Sequence, residues 1–172
     1  MIFDRWLGAR PAKLAARRLH DAAVAQARSP RLYAEFGGRD TVDGRFELLT
    51  LHVIMLLDRL KGQSGEAAAA RQALFDVYLR DLDGALREMG VGDLSVGKKM
   101  RKLGEAFYGR AKAFDDAFQE DEALPRTLAR TVLGDEAADA SRFADYVRAE
   151  REALASLPVE DLLAGRLQWP HP

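Results

Sequence analysis

From Leu48 to Leu57 only Thr50 and His52 interrupt an otherwise apolar run, and Glu47, Asp58 and Arg59 flank it closely. The run is too short to cross a bilayer, whose hydrocarbon core takes about 20 residues. A helix that is apolar nearly all round must instead be covered on most sides by other helices. This segment therefore predicts a central core helix, and the remaining chain must supply its cover. The cover is helical too: Val, Ile and Thr number 9, 2 and 4 against 29 Ala, and no alternating apolar stretch of strand length stands out. The expected fold is all-α, a single compact domain of about seven helices over residues 1–172. At 172 residues such a chain buries roughly 70% of its unfolded surface and needs no metal or disulfide staple.

The helices can be placed by their stops. The first is expected from Pro11 to about Arg28, with Leu14, Arg18 and Ala22 in one row, Leu19 and Ala23 beside it, and arginines on the other side. Ser29-Pro30 breaks it, and Arg31–Phe36 forms a short helix that Gly37-Gly38 stops. Asp40–Arg45 leads into the central helix, which ends at Gly62–Gly65. Glu66 to about Met89 reads as a long amphipathic helix with Leu74, Tyr78, Leu82, Leu86 and Met89 on one stripe. Asp76 with Arg80, and Asp83 with Arg87, are spaced to pair on its exposed side. After the turn Gly90–Leu94, Ser95 is the expected cap of the next helix. Its buried stripe would be Met100, Leu103, Phe107, Ala111, Phe114 and Phe118, with Gly104 allowing a close helix contact. Helices at about Ala123–Leu133 and Ser141–Leu157 and a last turn after Pro158 complete the chain.

Composition removes several chemistries. There is no cysteine, which excludes thiol catalysis, disulfides, iron–sulfur clusters and thiolate zinc sites. The net charge of -1 argues against a whole surface coated with nucleic acid, and no DNA partner is expected. The N-terminal stretch has no apolar core of a signal peptide, so a cytoplasmic protein is expected. His20, His52 and His171 form no ligand set by spacing, and no metal or other cofactor is expected. Gly92–Lys99 spells G-x-x-x-x-G-K, but a helix precedes it and Lys99 stands where a phosphate loop needs Ser or Thr. A glycine turn and helix start explain it better. No catalytic motif is present, so neither an enzyme nor a small-molecule substrate is expected.

The near-neutral total hides a polarised chain. Residues 1–31 and 95–113 each carry +5, and residues 114–161 carry -8. Lys98, Lys99, Arg101 and Lys102 open a helix against its own dipole, so local stability does not explain them. They form a solvated face, a patch for anionic lipid headgroups or ribosomal RNA, or a set paired internally with the acidic C-terminal helices. At a hundred degrees per residue Lys98, Arg101 and Lys102 cluster, with Lys99 to the side.

Four blocks carry a specific likeness. Asp40-Thr41-Val42-Asp43-Gly44-Arg45-Phe46-Glu47-Leu48-Leu49 followed by Leu51-His52-Val53 resembles the core signature of the ubiquinol–cytochrome c chaperone family. Gln72–Asp76, then Leu86–Met100 and Phe107-Tyr108-Gly109-Arg110, continue it in order and spacing. The likeness covers residues 32–118, leaving 119–172 as an acidic helical C-terminal extension of the same domain. It implies a non-catalytic assembly chaperone for the cytochrome bc1 complex, binding newly made cytochrome b or another bc1 subunit. The runner-up is a helical RNA- or ribosome-binding module. Without a presequence the chain looks like a bacterial member, working in the cytoplasm or at the inner face of the membrane, with the ribosome or an anionic membrane surface as a further partner. Mapped on these blocks, the client-binding candidates are Asp40, Asp43, Arg45, His52, Gly92, Asp93, Tyr108 and Arg110. The anionic-surface candidates are Lys98, Lys99, Arg101 and Lys102.

Overall fold

The computed structural model describes residues 2–120 and 122–172, with side chains from residue 10 onward. Among the described residues there are eight α-helices and no strand: α1 (Ile2–Ala27), α2 (Pro30–Ala34), α3 (Val42–Arg59), α4 (Gly65–Glu88), α5 (Asp93–Gln119), α6 (Ala123–Leu128), α7 (Ser141–Ser156) and α8 (Val159–Leu163). A π-helical turn, Ala129–Leu133, continues α6. The side chains of Asp4 and Arg5, part of the charge count over residues 1–31, lie outside the described residues.

α3 is the central helix. Thr41 stands in extended backbone and its hydroxyl accepts the Gly44 amide at 3.1 Å, a side-chain cap at the N-terminus. From Leu48 to Leu57 every residue but Leu49 is buried, and each fully covered leucine contributes about 1.5–3 kcal/mol. Its polar interruptions are satisfied internally. Thr50 and Tyr78 share a hydroxyl–hydroxyl bond of 2.7 Å. At the other end Arg59 donates to the carbonyls of Leu154 and Leu157, and Arg71 to that of Leu57. Guanidinium groups thus satisfy carbonyls near two helix ends.

α1 and α4 lie side by side in the same direction, since Ala12 and Ala15 meet Ala70 at one end and His20 faces Asp81 at 3.8 Å at the other. The α1 seam is mostly alanine, and small side chains let the two helices approach. Four expectations change here. α1 starts before Pro11 and runs through it, the exposed ring removing one backbone bond without ending the helix. Leu14 is exposed, because the alanine seam turns its row outward. Asp76 accepts from Gln72 rather than pairing with Arg80, whereas the Asp83–Arg87 pair forms at 2.7 Å. Gly104 faces open space, so it permits no close helix contact.

The chain reverses just before α3, and one glycine makes this possible. A Cβ on Gly44 would stand 2.0 Å from the Arg39 carbonyl oxygen, a backbone atom that cannot swing away. Gly44→Ala should cost about 3 kcal/mol through this overlap. Gly84→Ala, inside α4 with nothing within 4 Å of the new methyl, should add about 0.5–1 kcal/mol. Urea unfolding of the two variants checks the contrast; equal stabilities would refute it.

Candidate functional site

α4 and α5 form an antiparallel hairpin whose two ends differ. Towards its open end the helices are zipped by aromatic rings: Phe107 meets Phe75 at 4.9 Å and Tyr78 at 5.3 Å between centroids. Towards the Gly90 turn this packing stops. Leu82, Leu86, Met100 and Leu103 are only half-buried, and Met89 is 59% exposed. The stripes expected to be core therefore run out of partners over their last turns. The start of α3 lies across the gap, with Val42 62% exposed and Phe46 half-buried.

The result is an open groove of about 590 Å³ with walls of Val42, Phe46, Leu82, Leu86, Met89 and Leu103. Its floor holds an ion pair between Glu47 of α3 and Arg110 of α5, the guanidinium making two bonds to the carboxylate. Glu47 is only 6% exposed. Arg110 also lies over the Phe46 ring at 5.6 Å and donates to the Ala106 carbonyl. Asp43, Lys99 and Lys102 stand along the same groove.

Four candidates from distant parts of the sequence, Asp43, Lys99, Lys102 and Arg110, are thus brought to one place. The others lie elsewhere. Asp40 and Arg45 pair with one another at 2.7 Å on the exposed start of α3. Gly92 is the N-cap of α5, so Ser95 falls inside the first turn instead of capping it, and Asp93 pairs with Arg87. Tyr108 is exposed and lines a separate cleft with Ile54, Lys61 and Phe118. Lys99 does not stand apart from Lys102, with which it shares the groove, while Lys98 and Arg101 are not part of the groove lining. Among the described residues none of these four cations makes an ion pair. Of the acids in the C-terminal half, Asp115 pairs with Lys61, Asp116 with Lys112, Asp145 with Arg148 and Asp161 with Arg166.

His52 is fully buried and faces away from the groove into a polar cluster. Its Nδ1–H donates to the Leu48 carbonyl at 2.7 Å, which leaves Nε2 to accept from the Tyr146 hydroxyl at 2.8 Å. Both ring nitrogens are therefore occupied, and burial holds the imidazole down at about 4. The Gln26 amide is shared among Tyr146, Glu150 and the Pro170 carbonyl at 2.9–3.1 Å. Trp169 packs edge-on against His52 at 5.4 Å and donates to the Ala22 carbonyl. This cluster fastens the C-terminal tail to α1, α3 and α7. Glu150 is buried with one oxygen unpartnered, and burial pushes its carboxyl up to about 8.

A family model described as ubiquinol-cytochrome C chaperone matches residues 34–169. The chain belongs to that family. The match runs past Phe118 through α6, α7 and α8 to Trp169, the residue that closes the buried cluster. The crystal structure of the Cbp3 homolog from Brucella abortus is similar over 99% of this chain and 97% of its own, with 34% identity and a TM-score of 0.84. Among curated proteins, ubiquinol-cytochrome-c reductase complex assembly factor 1 of Xenopus laevis is 25% identical over 91% of this chain and 81% of its own. The mouse counterpart is 26% identical, and this chain spans 55% of it.

Glu47 was not singled out from the sequence as a site residue. The available signal was an acid one residue before the apolar run, on the same face as Thr50 and Ile54 at helical spacing, so it had to enter the interior with a partner. The groove itself left no signal, since a leucine facing a groove and a leucine facing the core have the same period.

Proposed function

We propose that this family member is a non-catalytic assembly chaperone of ubiquinol–cytochrome c reductase that holds a helical segment of newly made cytochrome b in the α3–α4–α5 groove. The observation that carries this is the groove: an open apolar channel inside the family-matched region, at the point where two core stripes lose their cover. An apolar helix face laid there would bury Val42, Phe46, Leu86 and Met89, the helix-in-groove mode of recognition. Lys99 and Lys102, unpaired, favour acidic or carbonyl-rich flanks on the guest. The assembly-factor names of the curated relatives and the helical scaffold support the same reading. Among the described residues no helix is long and apolar enough to cross a membrane, so the guest segment would supply the spanning part.

The test uses the two groove residues that already face solvent. Val42→Asp with Met89→Asp leaves the core untouched and should keep the melting temperature. In a strain lacking the native gene, cytochrome b recovered with the tagged variant should fall at least about tenfold, since burying two apolar side chains gives about 1.5–3 kcal/mol each. The bc1 absorbance should fall with it. Undiminished recovery of cytochrome b by the folded variant would sink the assignment.

A further inference from the structure

The turn joining α4 to α5 carries a second surface, which shares Met89 and Lys102 with the rim of the groove and adds Leu94, Lys98 and Arg101 outside it. Leu94, in the first turn of α5, is fully exposed, and Met89 on the other side of the turn is largely so. Leu94, Lys98 and Arg101 follow at i, i+4 and i+7 and form one stripe, with Lys102 beside it; Glu105 ends the stripe one turn further from the tip. All these side chains are exposed. Among the described residues the cations have no ion-pair partner, and Asp93, the acid nearest the tip, is held by Arg87.

A bare leucine in water is unfavourable, and the stripe of unpaired cations that runs on from it adds repulsion. Both are relieved by one kind of partner, an apolar phase bounded by negative charge. We propose that the α4–α5 tip docks on an anionic lipid bilayer, with Leu94 entering the headgroup–acyl boundary and Lys98, Arg101 and Lys102 lying against lipid phosphates. RNA would satisfy the cations alone. Single-stranded nucleic acid is bound on stacking rings, and residues 89–102 hold no aromatic side chain. An aliphatic tip with a basic skirt is what a bilayer surface accommodates. The docking needs no client, but it sets the mouth of the groove next to the membrane.

The experiment is vesicle sedimentation of the full chain with phosphatidylcholine alone and with phosphatidylcholine containing phosphatidylglycerol, at low and high salt. Binding should require the anionic lipid and weaken with salt. Each cation near such a surface is worth about fivefold in affinity, so Lys98→Glu with Arg101→Glu should lower partitioning by at least about 25-fold. Leu94→Ser should lower it about tenfold. Because the chain has no cysteine, a polarity-sensitive dye on Leu94→Cys reports the tip alone. Its emission should shift to the blue on anionic vesicles, whereas dye on Leu14→Cys, near the opposite end of α4, should not respond. Equal binding to neutral vesicles, partitioning unmoved by the charge reversal, or no dye shift at Leu94→Cys would each overturn the proposal. So would tighter binding to purified ribosomal RNA at the same salt that Leu94→Ser leaves unchanged.

Discussion

Arg110→Met is expected to destabilise the protein by about 3 kcal/mol, because it leaves the Glu47 carboxylate buried without its partner. Breaking a buried pair typically costs about 3–5 kcal/mol; the groove admits water beside Arg110, which places this case at the lower end. In a chain of this length that is a fall in melting temperature of about 6–12 °C. Glu47→Leu alone strands the guanidinium, which can still reach solvent through the groove, and should cost less. The double variant removes both desolvated charges and should return to within about 1 kcal/mol of the parent. Urea unfolding of the four proteins closes the cycle. If the two single costs simply add, the pair is not acting as a unit. The double variant should also still bind client, since the apolar groove walls remain.

The second large effect is a loss of stability on the alkaline side of neutrality. Glu150 is fully buried, and burial raises its carboxyl from the usual value of 4.5 to about 8. A group whose folded value is raised stabilises the fold below its unfolded value, and that contribution is lost as pH rises towards the folded one. His52 behaves in the opposite sense: burial lowers it from 6.5 to about 4, and burial also lowers His20. Their contributions are present above pH 6.5 and disappear on acidification. Below pH 6.5 the proton that the unfolded chain takes up on His52 offsets the one that the folded chain keeps on Glu150, and His20 acts in the same direction as His52, so stability stops rising with acid. Between pH 6.5 and about 8 only Glu150 counts, and stability should drop by about 2 kcal/mol. Glu150→Gln, which keeps the shape but cannot ionise, should abolish the alkaline decline and exceed the parent at pH 8.5. Urea midpoints from pH 5 to 9 measure both curves, and a parent as stable at pH 8.5 as at 6.5 would refute the neutral carboxyl.

How far these features could be read in advance depended on their range. The Asp40–Phe46 and Leu86–Met100 blocks were recognisable as segments, and Arg110 was drawn from a third. That Asp43, Lys99, Lys102 and Arg110 share one groove was not, because α3 crosses the α4–α5 hairpin at an angle that no local pattern encodes. The helical wheel groups Lys102 with Lys98 and Arg101 and sets Lys99 aside, whereas Lys99 and Lys102 line the groove together, because which side faces the groove depends on where α3 lies. His52 illustrates the opposite failure. Its place among leucines marked it as buried, whereas its partners, Tyr146 and the Trp169 packed on it, come from the far end of the chain.

What the sequence determined by itself is the helical class, the central position of Leu48–Leu57 and the family likeness. Each follows from short-range properties: β-branched scarcity, an apolar run with no polar face, and residue blocks in order. What only the tertiary structure decided is where cover is missing. Leu82, Leu86, Met89 and Leu103 have the same period as Leu74, Tyr78 and Phe107 but lose their partners near the Gly90 turn. Burial is a property of what packs against a side chain, and periodicity specifies only the face it points from.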